Sequence, residues 1–162
     1  GFIGSHLCDL LLAEGHKVRV LDDLSTGRRE NLPGEARLIE GSILDAVSLA
    51  AAMEGVDGCF HLAAVASVQR SVEQPGATAA VNSLGTTRVL EAALRAGPVS
   101  VVYASSAAVY GAGADSALSE DAPLRPLSPY AADKIANELY AQALGASTGL
   151  RTFGLRFFNV YG

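Results

Sequence analysis

Hydrophobic positions along this chain fall alternately into helical and extended patterns. Ile3, Leu7, Leu10 and Leu11 recur at i, i+4, i+7 and i+8, which predicts a helix with one apolar face. Gly15 supplies its stop. Lys17 to Leu21 reads as a strand ending at the pair Asp22-Asp23, and Ala36 to Ile39 as a second short strand. Asp45 to Glu54 is a helix and Val56 to Leu62 a third strand. Val81, Leu84, Val89, Leu90, Ala93 and Leu94 line a further helix, closed by Gly97-Pro98. Val99 to Ser105 lacks alternation, the pattern of a parallel strand covered on both faces. A polar loop, Gly111 to Pro126, leads to Ser128 and Pro129, which open a long helix as N-cap and first helical residue. That helix runs to Gly145, and Leu150 to Phe158 is a last strand.

Strands alternating with helices across short loops predict an α/β fold, a doubly wound parallel sheet with helices on both faces. A chain of 162 residues fits one domain. It opens on Gly1 directly into helical periodicity and ends at Gly162 just after an apolar run, so both ends read as cut.

Composition narrows the picture further. With 49% hydrophobic and 18% charged residues, the chain can bury a core. Its 12 basic and 17 acidic side chains leave a net charge of −5, which argues against a nucleic-acid surface. The longest uncharged stretch, Ala96 to Ala114, is broken by Pro98, serines and glycines, so no membrane span is expected. Cys8 and Cys59 sit in apolar runs and read as small buried hydrophobes. The histidines His6, His16 and His61 lack metal-ligand spacing, so no metal site is expected. No signal peptide is visible, and a reducing, cytoplasmic location is expected.

Two clusters could carry chemistry. Gly1 and Gly4 stand three apart where the first helix starts, a place where backbone amides and the helix dipole favour an anion. Asp22 follows 21 positions after Gly1 at the end of the next strand, the spacing of an acid that accepts from adenosine ribose hydroxyls. Its charge would repel a 2′-phosphate and so favours NAD. Arg28 and Arg29 could hold such a phosphate; their plainer reading is a solvated loop pair. The second cluster is Tyr130 and Lys134, four apart on one helix face, with Ser105-Ser106 at the end of a buried strand. Both would meet the carboxyl edge of the sheet, where ligands bind in this architecture. An ammonium about 5 Å from a phenol favours its anion by roughly 3 kcal/mol at an effective dielectric near 20. For the serines, the competing reading is helix or turn capping.

In order along the whole chain, Gly1-x-x-Gly4, Asp22, His61-Leu62-Ala63-Ala64, Asn82, Ser106, Tyr130-x-x-x-Lys134 and Arg156-Phe-Phe-Asn159 resemble the extended short-chain dehydrogenase/reductases. Within these the set is similar to the NAD-dependent nucleotide-sugar epimerase/dehydratase group. The resemblance implies a strand with a further glycine ahead of Gly1, a smaller sugar-binding domain after Gly162, and a homodimer of the full-length protein. Residues 1–162 would then be a truncated cofactor domain, inactive alone. It implies that Phe2 and Ile3 offer amides to a pyrophosphate, and that Asp22, Asp23, Leu24, Ser25, Thr26 and Gly27 surround adenosine. Leu62, Ala63, Ala64, Val65, Ala66 and Asn82 would line NAD, with Phe158 near the nicotinamide. Ser42, followed by Ile43, stands where the family carries an adenine-binding Asp, a departure that puts adenine affinity in question.

Tyr130 would be the base, Ser106 would hold the reacting oxygen, Lys134 would tune Tyr130 and bind ribose, and Asn159 would reach the nucleotide sugar. Dehydratases of the group resemble one another in carrying Thr-Asp-Glu before Val-Tyr-Gly, and decarboxylases a Glu. Here the string is Ser106-Ala107-Ala108-Val109-Tyr110-Gly111, and methyl groups cannot transfer protons. The resemblance therefore implies a nucleotide-sugar 4-epimerase, of UDP-glucose/UDP-galactose or UDP-N-acetylhexosamine type. A dehydratase, one-way dehydrogenase or reductase of the same family, or a non-catalytic NAD-binding module, are the alternatives.

Overall fold

The computed structural model describes residues 1–112 and 117–161. Part of the polar loop, 113–116, lies outside the described residues, as does Gly162. Its strands are β1 (Arg19–Asp22), β2 (Arg37–Glu40), β3 (Gly58–His61), β4 (Ser100–Ser106) and β5 (Thr152–Phe157). Its α-helices are α1 (Phe2–Ala13), α2 (Ala46–Met53), α3 (Val68–Glu73), α4 (Pro75–Ala79), α5 (Thr86–Arg95) and α6 (Pro129–Thr148). All pairings are parallel: β1 with β2, β3 with β4, and β4 with β5. Among the described residues no ladder joins β1 to β3, so the strands form a two-stranded and a three-stranded sheet. This is the doubly wound α/β architecture read from the periodicity.

Local chemistry explains the element ends. Asp45 caps α2 by accepting from the amides of Val47 and Ser48. Ser128 caps α6 at Ala131, with Pro129 at the first helical position. Past α1, Gly15 adopts φ +84°, while its amide and that of His16 bond back to Leu12 and Leu11. Arg19 reaches from β1 to the carbonyls of Ala51, Ala52 and Glu54, neutralising the negative end of α2.

Helices α2, α5 and α6 pack side by side over the strands. The core between them contains Leu49, Leu90, Ala93, Val101, Tyr103 and Ala141, all 5% exposed or less. β4 departs from the sequence reading. Val101, Tyr103 and Ser105 are buried, whereas Ser100, Val102, Ala104 and Ser106 are only half-buried. The second face is less covered by the described residues: in register Phe60, Val102 and Phe153 lie side by side, and Phe60, Phe153 and Leu155 are exposed. Apolar residues on both faces made the strand look symmetrically covered.

The helix read from Val81 onward is also different. It begins at Pro75 and passes through a π-helical segment, Ala80–Gly85, before α5. The π-helix uses i→i+5 hydrogen bonds, so the apolar face slips and Leu84 turns out to solvent while Val89, Leu90 and Ala93 remain buried. In α1, Ser5 and Cys8 are buried and Leu10 is exposed, against the apolar stripe. The Ser5 hydroxyl can be buried because it donates to the Phe2 carbonyl, and α1 packs on few of the described residues.

Candidate active site

Parallel pairing aligns the ends of β1 and β2 in one sheet and of β3, β4 and β5 in the other, and the predicted residues lie at or near those ends. At the β1 end, the first turn of α1 has no side-chain cap, which leaves its amides available to an anion. Asp22 Oδ2 lies 3.8 Å from the Gly1 nitrogen. Its Oδ1 accepts from the Leu24 amide at 2.8 Å, across a turn in which Leu24 holds φ +55°. Gly27 lies so close that a Cβ there would stand 3.0 Å from Asp22 Oδ1. Beside them, between the outer face of α1 and the loop at 26–31, opens a cleft of about 360 Å³ lined by Gly1, Phe2, His6, Asp9, Gly27 and Arg28 among others, with Asp22 outside its lining. The uncapped amides of α1 and the Asp22 carboxylate held against Gly27 are groups of the kind that receive the phosphate and ribose of a dinucleotide.

Other members of that set are engaged locally. Asp23 accepts from the amide and hydroxyl of Ser25, and the Ser42 hydroxyl accepts from the Leu44 amide. Ile43 buries its side chain in the core, so it offers no side chain to the cleft. Arg29 pairs with Glu40 at 2.7 Å on the surface, while Arg28 faces the cleft. Leu62 meets the first turn of α1, 3.8 Å from where a Gly4 Cβ would be. Asn82 is fully buried in the π-helical segment and grips the next loop from both sides. Its Oδ1 accepts from the Val65 amide at 2.8 Å, and its Nδ2 donates to the Val65 carbonyl at 3.1 Å. Asn82 thus shapes the Leu62–Ala66 loop through Val65. Ala63 and Ala66 of that loop are exposed; Ala64 is half-buried.

At the β4 end, the two serines divide their tasks. Ser106 caps the short 3-10 helix Ala107–Tyr110 by accepting from the Ala108 amide. Ser105 is buried and donates to Glu138 of α6. The Tyr130 amide donates to the buried Ser71 hydroxyl, which ties the start of α6 to α3. Lys134, 4% exposed, donates from Nζ to the Ala104 carbonyl at 2.7 Å and stands 5.7 Å from the Tyr130 ring centre. Burial draws the Lys134 ammonium down to about 8, although Asp133 opposes this. Asp133 is itself buried and accepts from Ser83 and Asn82, linking α6 to the π-helical segment. His61, buried at the β3 end, shares a hydrogen bond of 2.9 Å with Thr86. Burial, and then the Lys134 charge, push its imidazole down to about 3. Phe158 and Asn159 follow β5 at the same edge, and both are exposed.

Sequence reasoning missed Ser71, Asp133 and Glu138. Glu138 carried a signal, standing one turn beyond Lys134 and two beyond Tyr130 on the same helix face. Asp133 carried none, since next to a lysine it reads as ordinary helix charge. Among the described residues no group of His, Cys, Asp and Glu is arranged to hold a metal. None of the described helices is long and apolar enough to cross a membrane. Cys8 and Cys59 are free, and burial pushes the Cys59 thiol up to about 11.

Comparison with known proteins adds to this geometry. The profile of the NAD dependent epimerase/dehydratase family matches residues 1–162. A UDP-glucose 4-epimerase of Mycolicibacterium smegmatis is 45% identical, covered over 100% of this chain and 54% of its own length. The crystal structure of Thermus thermophilus UDP-glucose 4-epimerase complexed with NAD superposes with a TM-score of 0.93 at 42% identity, over 100% of this chain and 53% of that one. A dTDP-glucose 4,6-dehydratase of Streptomyces venezuelae, solved with NAD bound, gives a TM-score of 0.93 at 38% identity, over 100% and 54%. The chain spans about half the length of the curated relatives it matches.

Proposed function

The chain belongs to the NAD dependent epimerase/dehydratase family, and we propose on that premise that it is the cofactor-binding part of a nucleotide-sugar 4-epimerase. The family depends on NAD, and the uncapped amides of α1 with Asp22 held against Gly27 are the groups that would receive that cofactor's phosphates and adenosine. Bound NAD supplies the acceptor, and later the donor, of the hydride at sugar C4. The observation that carries the reading is the buried Lys134, fixed on Ala104 one turn beyond Tyr130, with Ser106 ending the same strand.

In this reading the Tyr130 oxygen takes the proton of the sugar 4-hydroxyl, and the Lys134 ammonium stabilises the negative charge on that oxygen. Ser106 Oγ holds the sugar oxygen and guides its proton. Once the 4-keto sugar has presented its other face, Tyr130 returns the proton and a stereoisomer leaves. Asn159 and Phe158, exposed at the same edge, would meet the sugar nucleotide and the nicotinamide. UDP-hexoses are the proposed substrates. Ala107 and Ala108 supply neither acid nor base for water elimination, which favours epimerase over dehydratase.

The same reading gives the full polypeptide a strand between β1 and β3, which no ladder joins among the described residues. It also gives it a substrate domain beyond residue 162, and a homodimer to which the exposed Leu139 and Tyr140 of α6 contribute. Residues 1–162 alone would not turn over. The test uses the full-length protein: Tyr130→Phe is expected to keep NAD and lose nearly all interconversion of UDP-hexoses. Full activity in that variant contradicts the assignment of the base.

A further inference from the structure

The side of the site away from the cofactor cleft is held by an ion pair that no step of the proposed reaction uses. Glu138 is one helical turn beyond Lys134, and its carboxylate is 17% exposed. It accepts the Ser105 hydroxyl, Arg156 Nε at 2.9 Å and Arg156 Nη2 at 2.7 Å. Arg156 stands beside Ser105 in the β4–β5 register. The remaining arm of its guanidinium, Nη1, donates to the Tyr110 hydroxyl and to the Glu120 carbonyl, each at 2.7 Å. One fork therefore gathers α6, β4, β5, the 3-10 helix Ala107–Tyr110 and the loop at Glu120. Burial alone would push the Glu138 carboxyl up, but hydrogen bonds from Arg156 and Ser105 and the Arg156 charge hold it below its ordinary range. The pair is thus ionised and bidentate.

The location gives this arrangement a consequence. α6 holds β4 at two successive residues, Ala104 through Lys134 and Ser105 through Glu138. The next residue is Ser106, whose hydroxyl also caps the 3-10 helix that ends at Tyr110. Slack in the pair would therefore move Ser106 relative to Lys134 and Tyr130.

We propose that Glu138 and Arg156 are positioning residues that fix Ser106 against the Tyr130–Lys134 pair. They do so by clamping the end of β4 and the 3-10 helix after it to α6 and β5. Neither residue touches the reacting atoms, and the rate part of the claim rests on the 4-epimerase reading.

The experiment uses the full-length protein with two conservative variants, Glu138→Gln and Arg156→Lys. The first keeps size without charge, and the second keeps charge without the fork. Amide hydrogen exchange, which needs no turnover, should speed up at 105–111 in both variants, with the start of α6 unchanged. In folded, NAD-loaded variants, kcat for UDP-hexose interconversion should fall 10- to 100-fold, the order reached when a reacting group is slightly misplaced. KM should change far less than kcat, because only the hold of Ser106 on the reacting oxygen shifts while the other groups proposed to bind substrate stay in place. Unchanged exchange at 105–111 overturns the clamp whether or not the wild type turns over. So does a wild-type kcat in either folded variant. A wild-type protein that fails to interconvert UDP-hexoses overturns the 4-epimerase reading instead, and the exchange result still decides the clamp.

Discussion

The two ends of the site are built on different principles. At the α1 end, the groups proposed to receive the cofactor are mostly backbone: uncapped amides, a turn held by Asp22, and Gly27 pressed against its carboxylate. Few side chains there are buried, and several complete only their own turns, as Asp23 and Ser42 do. At the α6 end, Lys134, Asp133, Asn82, Asn137 and Ser105 are all buried, and most are joined across elements. An end that only binds can stay open, because a ligand brings its own order and loses little to small adjustments. An end that moves protons must be set beforehand, because reactivity depends on alignment to within fractions of an ångström. Contacts between elements that fix geometry are therefore concentrated where the chemistry is proposed.

Breaking the α6 end should cost most. In the full-length protein, Tyr130→Phe should lower turnover by at least about 10³-fold, the effect of deleting a general base. NAD content, measured after denaturing release, should be unchanged. Lys134→Met should lower turnover about 10²-fold, in line with losing roughly 3 kcal/mol of charge stabilisation. Breaking the α1 end should change binding instead. Asp22→Ala should weaken NAD about tenfold in titration calorimetry, as expected for a lost charged hydrogen bond, with kcat at saturating NAD little altered.

Acid and base should sharpen the contrast through stability. Lys134 is drawn down to about 8 when folded against 10.5 otherwise, so between those values the unfolded chain binds more protons. Stability should rise with pH across that window, and Lys134→Met should flatten the rise. His61 is held down to about 3 against 6.5, so the same sign applies at lower pH. Its contribution is complete above 6.5 and is lost as pH falls towards 3. Denaturant midpoints measured across each window check both slopes, with His61→Gln as the control for the second. The smallest effect is expected at an exposed pair away from both ends. Arg95→Ala removes a contact with Glu91 and should change stability by no more than about 0.5 kcal/mol.

Much of this was legible in the sequence because its signals are local. Ser128-Pro129 marks a helix start, Tyr130 and Lys134 share a face by spacing alone, and each strand ends near a recognisable polar residue. What was not legible depends on partners far along the chain. The slip at Ala80–Gly85 adds one residue to a turn, which defeats a search for a single period and hides why Leu84 is exposed. That the Asn82 amide grips Val65 from both sides could not be read from the sequence, since the two are 17 residues apart. Spacing alone does not separate Ser105 from Ser106, which only the family resemblance distinguished; the partner that engages Ser105, Glu138, lies 33 residues on. The lesser cover on the second face of β4 was invisible because Val102 and Ala104 are as apolar as buried residues.

The proposal that Tyr130, Lys134 and Ser106 oxidise and re-reduce one sugar carbon is tested most directly by isotope tracing in the full-length protein. UDP-galactose carrying deuterium at C4 should be converted to UDP-glucose with the label retained at C4 and no NADH accumulating. Release of NADH in step with substrate consumed, or a product that has lost water, would contradict the account.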